Sequence, residues 1–70
     1  MMYRVLVTRT LDVPTNLYHA ILESEEEAKK VAQEKLTELD GDVAVVSMLK
    51  HGVTRVLHTF EKIGKAGEVR

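Results

Sequence analysis

The sequence predicts a two-layer α+β domain with the element order ββαββ, in which one helix covers one face of a four-stranded, mainly antiparallel sheet. Three observations support this fold class. Four segments carry apolar residues on both alternating faces, as strands with two buried sides do. One segment between the second and third of them has apolar residues at helical spacing. Turn-forming residues separate the segments.

The first two predicted strands form a hairpin. The segment from Met2 to Thr10 is rich in β-branched and aromatic side chains, which favour a strand. In the loop 11–16 that follows, Pro14 fixes its own φ and disfavours helix at Val13. The second strand is predicted from Leu17 to Glu23.

The helix has the clearest local signals. Ser24 and Glu27 have the spacing of a capping box, in which the serine oxygen accepts a hydrogen bond from a backbone amide of the first turn. Gly41 is predicted to end the helix in the left-handed conformation. The apolar stripe that should face the sheet recurs at three- and four-residue steps and consists of Ala28, Val31, Ala32, Leu36 and Leu39.

The third and fourth strands form a second hairpin. They are predicted at Val43 to Lys50 and Val53 to Ile63, and the connection His51-Gly52 suits a primed two-residue turn. The domain therefore covers residues 1–63, and residues 64–70 are predicted to be a flexible C-terminal tail. The order of the strands in the sheet stays open, because a helical crossover can join neighbouring strands or skip one.

Size and composition predict association in the cytoplasm. A domain of 70 residues buries a marginal core, and a chain without cysteine lacks disulfides as a means of stabilisation, so we expect oligomerisation. The N-terminus shows no secretory signal and no apolar run is long enough to span a membrane, so we expect a cytoplasmic protein without a membrane partner.

A single helix leaves the second apolar face of the sheet uncovered, and we predict that this face meets another protein chain. A symmetric homodimer is the commonest form of such contact, and a foreign protein is the other. Strand addition at a sheet edge is a second route, and scattered exposed aliphatic residues without an interface are the plain alternative. The predicted interface residues are Leu6, Leu17, Ile21, Leu49 and Leu57.

No group of residues indicates catalysis, a cofactor or a metal site. The histidines His19, His51 and His58 lack an evident third ligand, so strand and turn roles explain them better than metal binding does. A triad built on Ser47 would have to converge in a domain with little room for a pocket. We therefore predict a protein that is not an enzyme and needs no cofactor.

Nucleic-acid binding is the alternative hypothesis. The formal net charge of −1 argues against a protein that tracks phosphates, so nucleic acid is disfavoured as a partner. A local basic strip on the strands would nevertheless be able to contact a phosphate backbone, and its members would be Arg4, Arg9, Lys50, Arg55 and Lys62.

The helix start and the second hairpin support one family resemblance. The run from Glu23 to Ala32, followed by Gly41-Asp42-Val43 and by the Gly52 hairpin, resembles small phage-encoded ββαββ proteins, including some anti-CRISPR inhibitors. The resemblance covers residues 17–62 and implies a phage inhibitor that binds a host defence complex in the host cytoplasm. These inhibitors share no functional motif, so the resemblance implies no binding residue.

Overall fold

The computed structural model describes residues 1–9 and 15–61, and the predicted tail 64–70 lies outside the described residues. The predicted ββαββ order and the two-layer α+β class are confirmed. The elements are β1 (Met2–Arg9), β2 (Thr15–Leu22), α1 (Glu25–Glu38), β3 (Val43–Lys50) and β4 (Val53–Glu61).

The four strands form one antiparallel sheet with the order β2-β1-β3-β4. Strands β2 and β3 both pair antiparallel with β1, so they run parallel to each other on its two sides. The helix between them is therefore a crossover connection that passes over β1. It packs mainly on β1 and β3, the two central strands, and leaves β2 and β4 as the sheet edges.

The core lies between the helix and one face of the sheet. Strands β1 and β3 contribute alternate residues to it, and Phe60 contributes from β4. Three residues of α1 face them at the helical spacing predicted from the sequence. The buried core residues are Val5, Val7, Ala28, Ala32, Leu36, Ala44, Val46 and Phe60.

Two irregularities change which residues face the helix. In the β1–β2 pairing Val7 lies opposite Tyr18 and Thr8 lies opposite Asn16, so Leu17 is an extra residue without a partner. In the β3–β4 pairing Leu57 is the extra residue in the same way. Because an added residue interrupts the strict alternation of a strand, the two halves of each edge strand have opposite parity.

The helix begins as predicted and ends differently. The Ser24 side chain accepts a hydrogen bond from the Glu27 amide at 3.3 Å, which confirms the predicted N-cap. The prediction that Gly41 takes the left-handed conformation is wrong, because Asp40 takes it with φ of 55°. The Asp40 amide donates to the Thr37 carbonyl and the Gly41 amide to the Leu36 carbonyl, the two bonds of a Schellman motif.

Gly41 is required for close packing instead. A Cβ at this position would lie 2.7 Å from Val7 Cγ1, 3.2 Å from the Thr8 carbonyl oxygen and 3.3 Å from Leu36 Cδ1. The chain leaving the helix thus passes against β1 with no room for a side chain. The Asp42 amide donates to the Thr8 carbonyl at 2.8 Å and fixes this approach.

The second hairpin turns as the sequence predicts. His51 and Gly52 have φ of 50° and 77°, and positive φ at both central residues is what a type I′ turn requires. The strands on either side therefore pair directly, with Lys50 opposite Val53.

Candidate protein-binding face

The sheet has a face that α1 does not cover, and we call it the open face. The strand register identifies its members, because the side chains of paired residues in adjacent strands lie on the same side of the sheet. The side chains of Val5, Val7, Ala44 and Val46 face the helix, so the alternate residues belong to the open face. The open face consists of Met2, Arg4, Leu6 and Thr8 of β1, Asn16, His19 and Ile21 of β2, Val43, Val45, Ser47 and Leu49 of β3, and Thr54, Val56, Thr59 and Glu61 of β4.

Six aliphatic residues of the open face surround its central positions, and we call them the apolar patch. Met2, Ile21 and Val56 are 41%, 40% and 59% exposed, which is high for large apolar residues in strands. The other members, Leu6, Val45 and Leu49, are half-buried. All six lie on one side of the sheet in neighbouring positions, and grouped apolar residues mark interaction surfaces more often than scattered ones do.

A single arginine lies among these aliphatic residues. Arg4 is on the central strand β1, opposite Ile21 of β2 on one side and Ser47 of β3 on the other. The row continues to Val56 of β4, the partner of Ser47. Arg4 is half-buried, and its Nε is buried without a hydrogen-bond partner among the described residues.

No carboxylate in the described parts of the chain forms an ion pair with Arg4. Glu61 lies at the last position of β4, and Glu23 follows the end of β2. In residues 1–9 and 15–61, no ion pair joins either carboxylate to Arg4. His19, opposite Leu6, is the other basic residue of this face and is exposed. The centre of the face is therefore apolar with one uncompensated positive charge.

The five predicted interface residues lie in three environments. Leu6, Ile21 and Leu49 lie on the open face. Leu17 packs against the helix-side core, and Leu57 is the half-buried extra residue of β4. A role for the five residues in an interface stays a prediction.

Sequence reasoning missed three members of the patch. Met2 and Val45 share the parity of Leu6 and Leu49, so they could have been found once the helix-facing parity was known. Val56 could not, because the irregularity at Leu57 moves it to the opposite side from His58 and Phe60. The position of Arg4 in the middle of the patch depends on the strand order.

The cations predicted for a basic strip are spread over the domain. Arg4 lies on the open face, while Arg55 pairs with Met48 on the helix side of the sheet. Arg9 binds the C-terminus of the helix: its Nη2 donates to the Leu39 carbonyl at 2.9 Å and its Nε to the Asp40 carbonyl at 3.1 Å. Lys50 lies beside the β3–β4 turn, and Lys62 lies outside the described residues.

The histidines and Ser47 have separate positions. His58 Nε2 lies 2.9 Å from Glu25 Oε2 and the ring stacks on Phe60, so His58 links β4 to the first turn of α1. Ser47 is 1% exposed and on the other side of the sheet from His58. Within the described part of the chain, no three His, Cys, Asp or Glu residues are grouped so that they could hold a metal ion.

No helix among the described residues is long and apolar enough to cross a membrane. Comparison of the chain with protein-family models, curated proteins and solved structures gave no match. The open face is thus characterised by its own geometry alone.

Proposed function

We propose that this protein is a non-enzymatic protein-interaction module that binds its partner through the open face. The observation that carries the proposal is the apolar patch, which lies on the side of the sheet opposite to helix α1. Burying apolar surface is worth roughly 25 cal/mol per Å², so a partner that covers Leu6, Val45 and Leu49 gains more than a polar strand face would offer.

The roles of the candidate nucleophiles and bases support a non-enzymatic function. Ser24 caps the helix and Ser47 is buried, so both serines have structural positions. His58 is engaged with Glu25 on the side of the sheet opposite to Ser47. A serine–histidine pair would need the two side chains within hydrogen-bond reach of each other.

The sequence predicts two possible partners for the open face, a second copy of the chain and a foreign protein. The resemblance to phage-encoded inhibitors adds a class of foreign partner, a host defence complex of the CRISPR type, and with it a cytoplasmic location in the host. A nucleic-acid role is the weaker candidate, because Arg4 lies on the other side of the sheet from Lys50 and Arg55, and Arg9 is bound to the C-terminus of the helix.

The experiment that tests this proposal compares two variants that add the same charge in different places. Val45→Glu places a carboxylate in the apolar patch, and Gln33→Glu places one on the exposed surface of α1. Immobilised wild-type protein and both variants are exposed to host lysate, and bound proteins are quantified by mass spectrometry after circular dichroism has confirmed that all three fold.

We expect a binder that Gln33→Glu retains and Val45→Glu loses. Binders that all three proteins retain equally would contradict the proposal, since they would not use the open face. Binding of generic duplex DNA that weakens as salt rises and is unchanged in Val45→Glu would favour the nucleic-acid alternative instead.

A further inference from the structure

The most informative group on the open face is the Arg4 guanidinium, because it combines positive charge with apolar neighbours. Its cross-strand partners are Ile21 and Ser47, and Leu6 and Met2 are the next residues of β1 on the same side. A charge among aliphatic residues lowers the gain from burying them unless the partner supplies an opposite charge. A partner that covers the open face therefore needs a negatively charged group together with apolar groups.

We propose that the open face receives a foreign protein segment that presents a carboxylate flanked by apolar side chains, and that Arg4 binds this carboxylate. This inference rests on the proposed function above. An arginine surrounded by apolar contacts that exclude water is typical of the residues that dominate binding energy in protein interfaces. The aliphatic patch then supplies the surrounding contacts and Arg4 supplies selectivity for an acidic partner.

The buried state of Nε indicates the geometry of the contact. A carboxylate can pair with arginine from the side, through Nε and one terminal nitrogen, or from the end, through both terminal nitrogens. Nε is buried, so an oxygen of a partner does not reach it. The terminal nitrogens of the half-buried side chain are the donors left for a partner, which makes end-on, bidentate pairing the accessible mode.

A second copy of the chain fits this face less well than an acidic partner does. Symmetric contact between two open faces would bring two Arg4 side chains into one apolar interface, where each charge would be buried unfavourably without a counter-charge. The carboxylates of this side, Glu23 and Glu61, lie at the ends of the edge strands. Self-pairing therefore supplies a second positive charge where a negative one is needed.

The test is selection from a display library of random linear peptides on the wild-type protein, with Val45→Glu and Arg4→Met as comparison targets. Arg4→Met keeps the length and apolar stem of the side chain and removes the charge. Arg4→Lys is the second variant, which keeps the charge and removes the planar pair of donors. Circular dichroism establishes that each target is folded.

We expect enriched peptides that carry Asp or Glu between apolar residues, that lose binding to Val45→Glu, and that bind Arg4→Met about tenfold more weakly. Replacing the peptide Asp or Glu by Asn or Gln should lower the affinity for the wild-type protein by a similar factor and change the affinity for Arg4→Met little. The loss of affinity for Arg4→Lys should lie between these two values. Peptides that need the open face but no carboxylate would overturn this inference and leave the proposed function standing. Failure to select any peptide that Val45→Glu rejects would overturn both.

Discussion

Gly41 and Val7 approach so closely that a Cβ on Gly41 would lie 2.7 Å from Val7 Cγ1. This contact joins the segment that leaves the helix to the central strand of the sheet. It sets the separation of the two layers at the C-terminal end of α1, because Leu36 and the Thr8 carbonyl also lie within 3.4 Å of the same point.

Gly41→Ala should destabilise the fold by about 1–3 kcal/mol, the usual cost of inserting a methyl group into a packed core. Urea denaturation measures the change in the free energy of unfolding. The cost should be smaller in a Val7→Ala background, because that substitution removes Cγ1. An equal cost in both backgrounds would contradict the close contact.

His51→Asn should stabilise the second hairpin by on the order of 0.5 kcal/mol. His51 has φ of 50°, a conformation that Asn adopts more readily than His at the first position of a type I′ turn. Thermal denaturation of the two proteins makes the comparison. Gly52→Ala is the opposing variant: nothing lies within 4 Å of its added Cβ, but φ of 77° should cost about 1–2 kcal/mol. A melting temperature that neither substitution changes would contradict the assignment of a type I′ turn.

Arg9→Met should destabilise the protein by roughly 1–2 kcal/mol, after a discount for the partial exposure of the side chain. The guanidinium donates to two carbonyls at the C-terminus of α1, where the helix dipole favours a cation. Arg55→Met is the matched control, since Arg55 is exposed on an edge strand and should change stability by less than about 0.5 kcal/mol. Equal effects of the two variants, measured by urea denaturation, would count against the capping role of Arg9.

The His58–Glu25 contact should contribute about 0.2–1 kcal/mol, the range for partly exposed ion pairs. A double-mutant cycle with His58→Leu and Glu25→Ala, neither of which can form a hydrogen bond, isolates this coupling from the packing of each side chain. Additive effects of the two substitutions would mean that the contact between β4 and the first helical turn does not contribute to the free energy of unfolding.

The elements of the fold were predictable because their signals are local. The Ser24 cap, the helical stripe that includes Ala28 and Ala32, and the His51-Gly52 turn each depend on residues within a few positions of one another. Each was found where the sequence placed it.

The position of Gly41 and the composition of the open face depend on contacts distant in sequence. A glycine after a helix indicates a helix C-terminus in the left-handed conformation. Here Asp40 takes that conformation, and Gly41 is required because a side chain at this position would collide with Val7 of β1. The extra residues Leu17 and Leu57 reverse the alternation within both edge strands, so a regular pattern assigns part of each strand to the wrong face.

Sedimentation equilibrium of the wild-type protein and Arg4→Met at micromolar concentration tests most directly whether Arg4 reserves the open face for an acidic foreign partner. The wild-type protein should be a monomer. Arg4→Met should self-associate, because its patch is apolar throughout, and adding Val45→Glu to it should restore the monomer. A wild-type dimer that Val45→Glu dissociates, or an Arg4→Met protein that stays monomeric, would contradict the account.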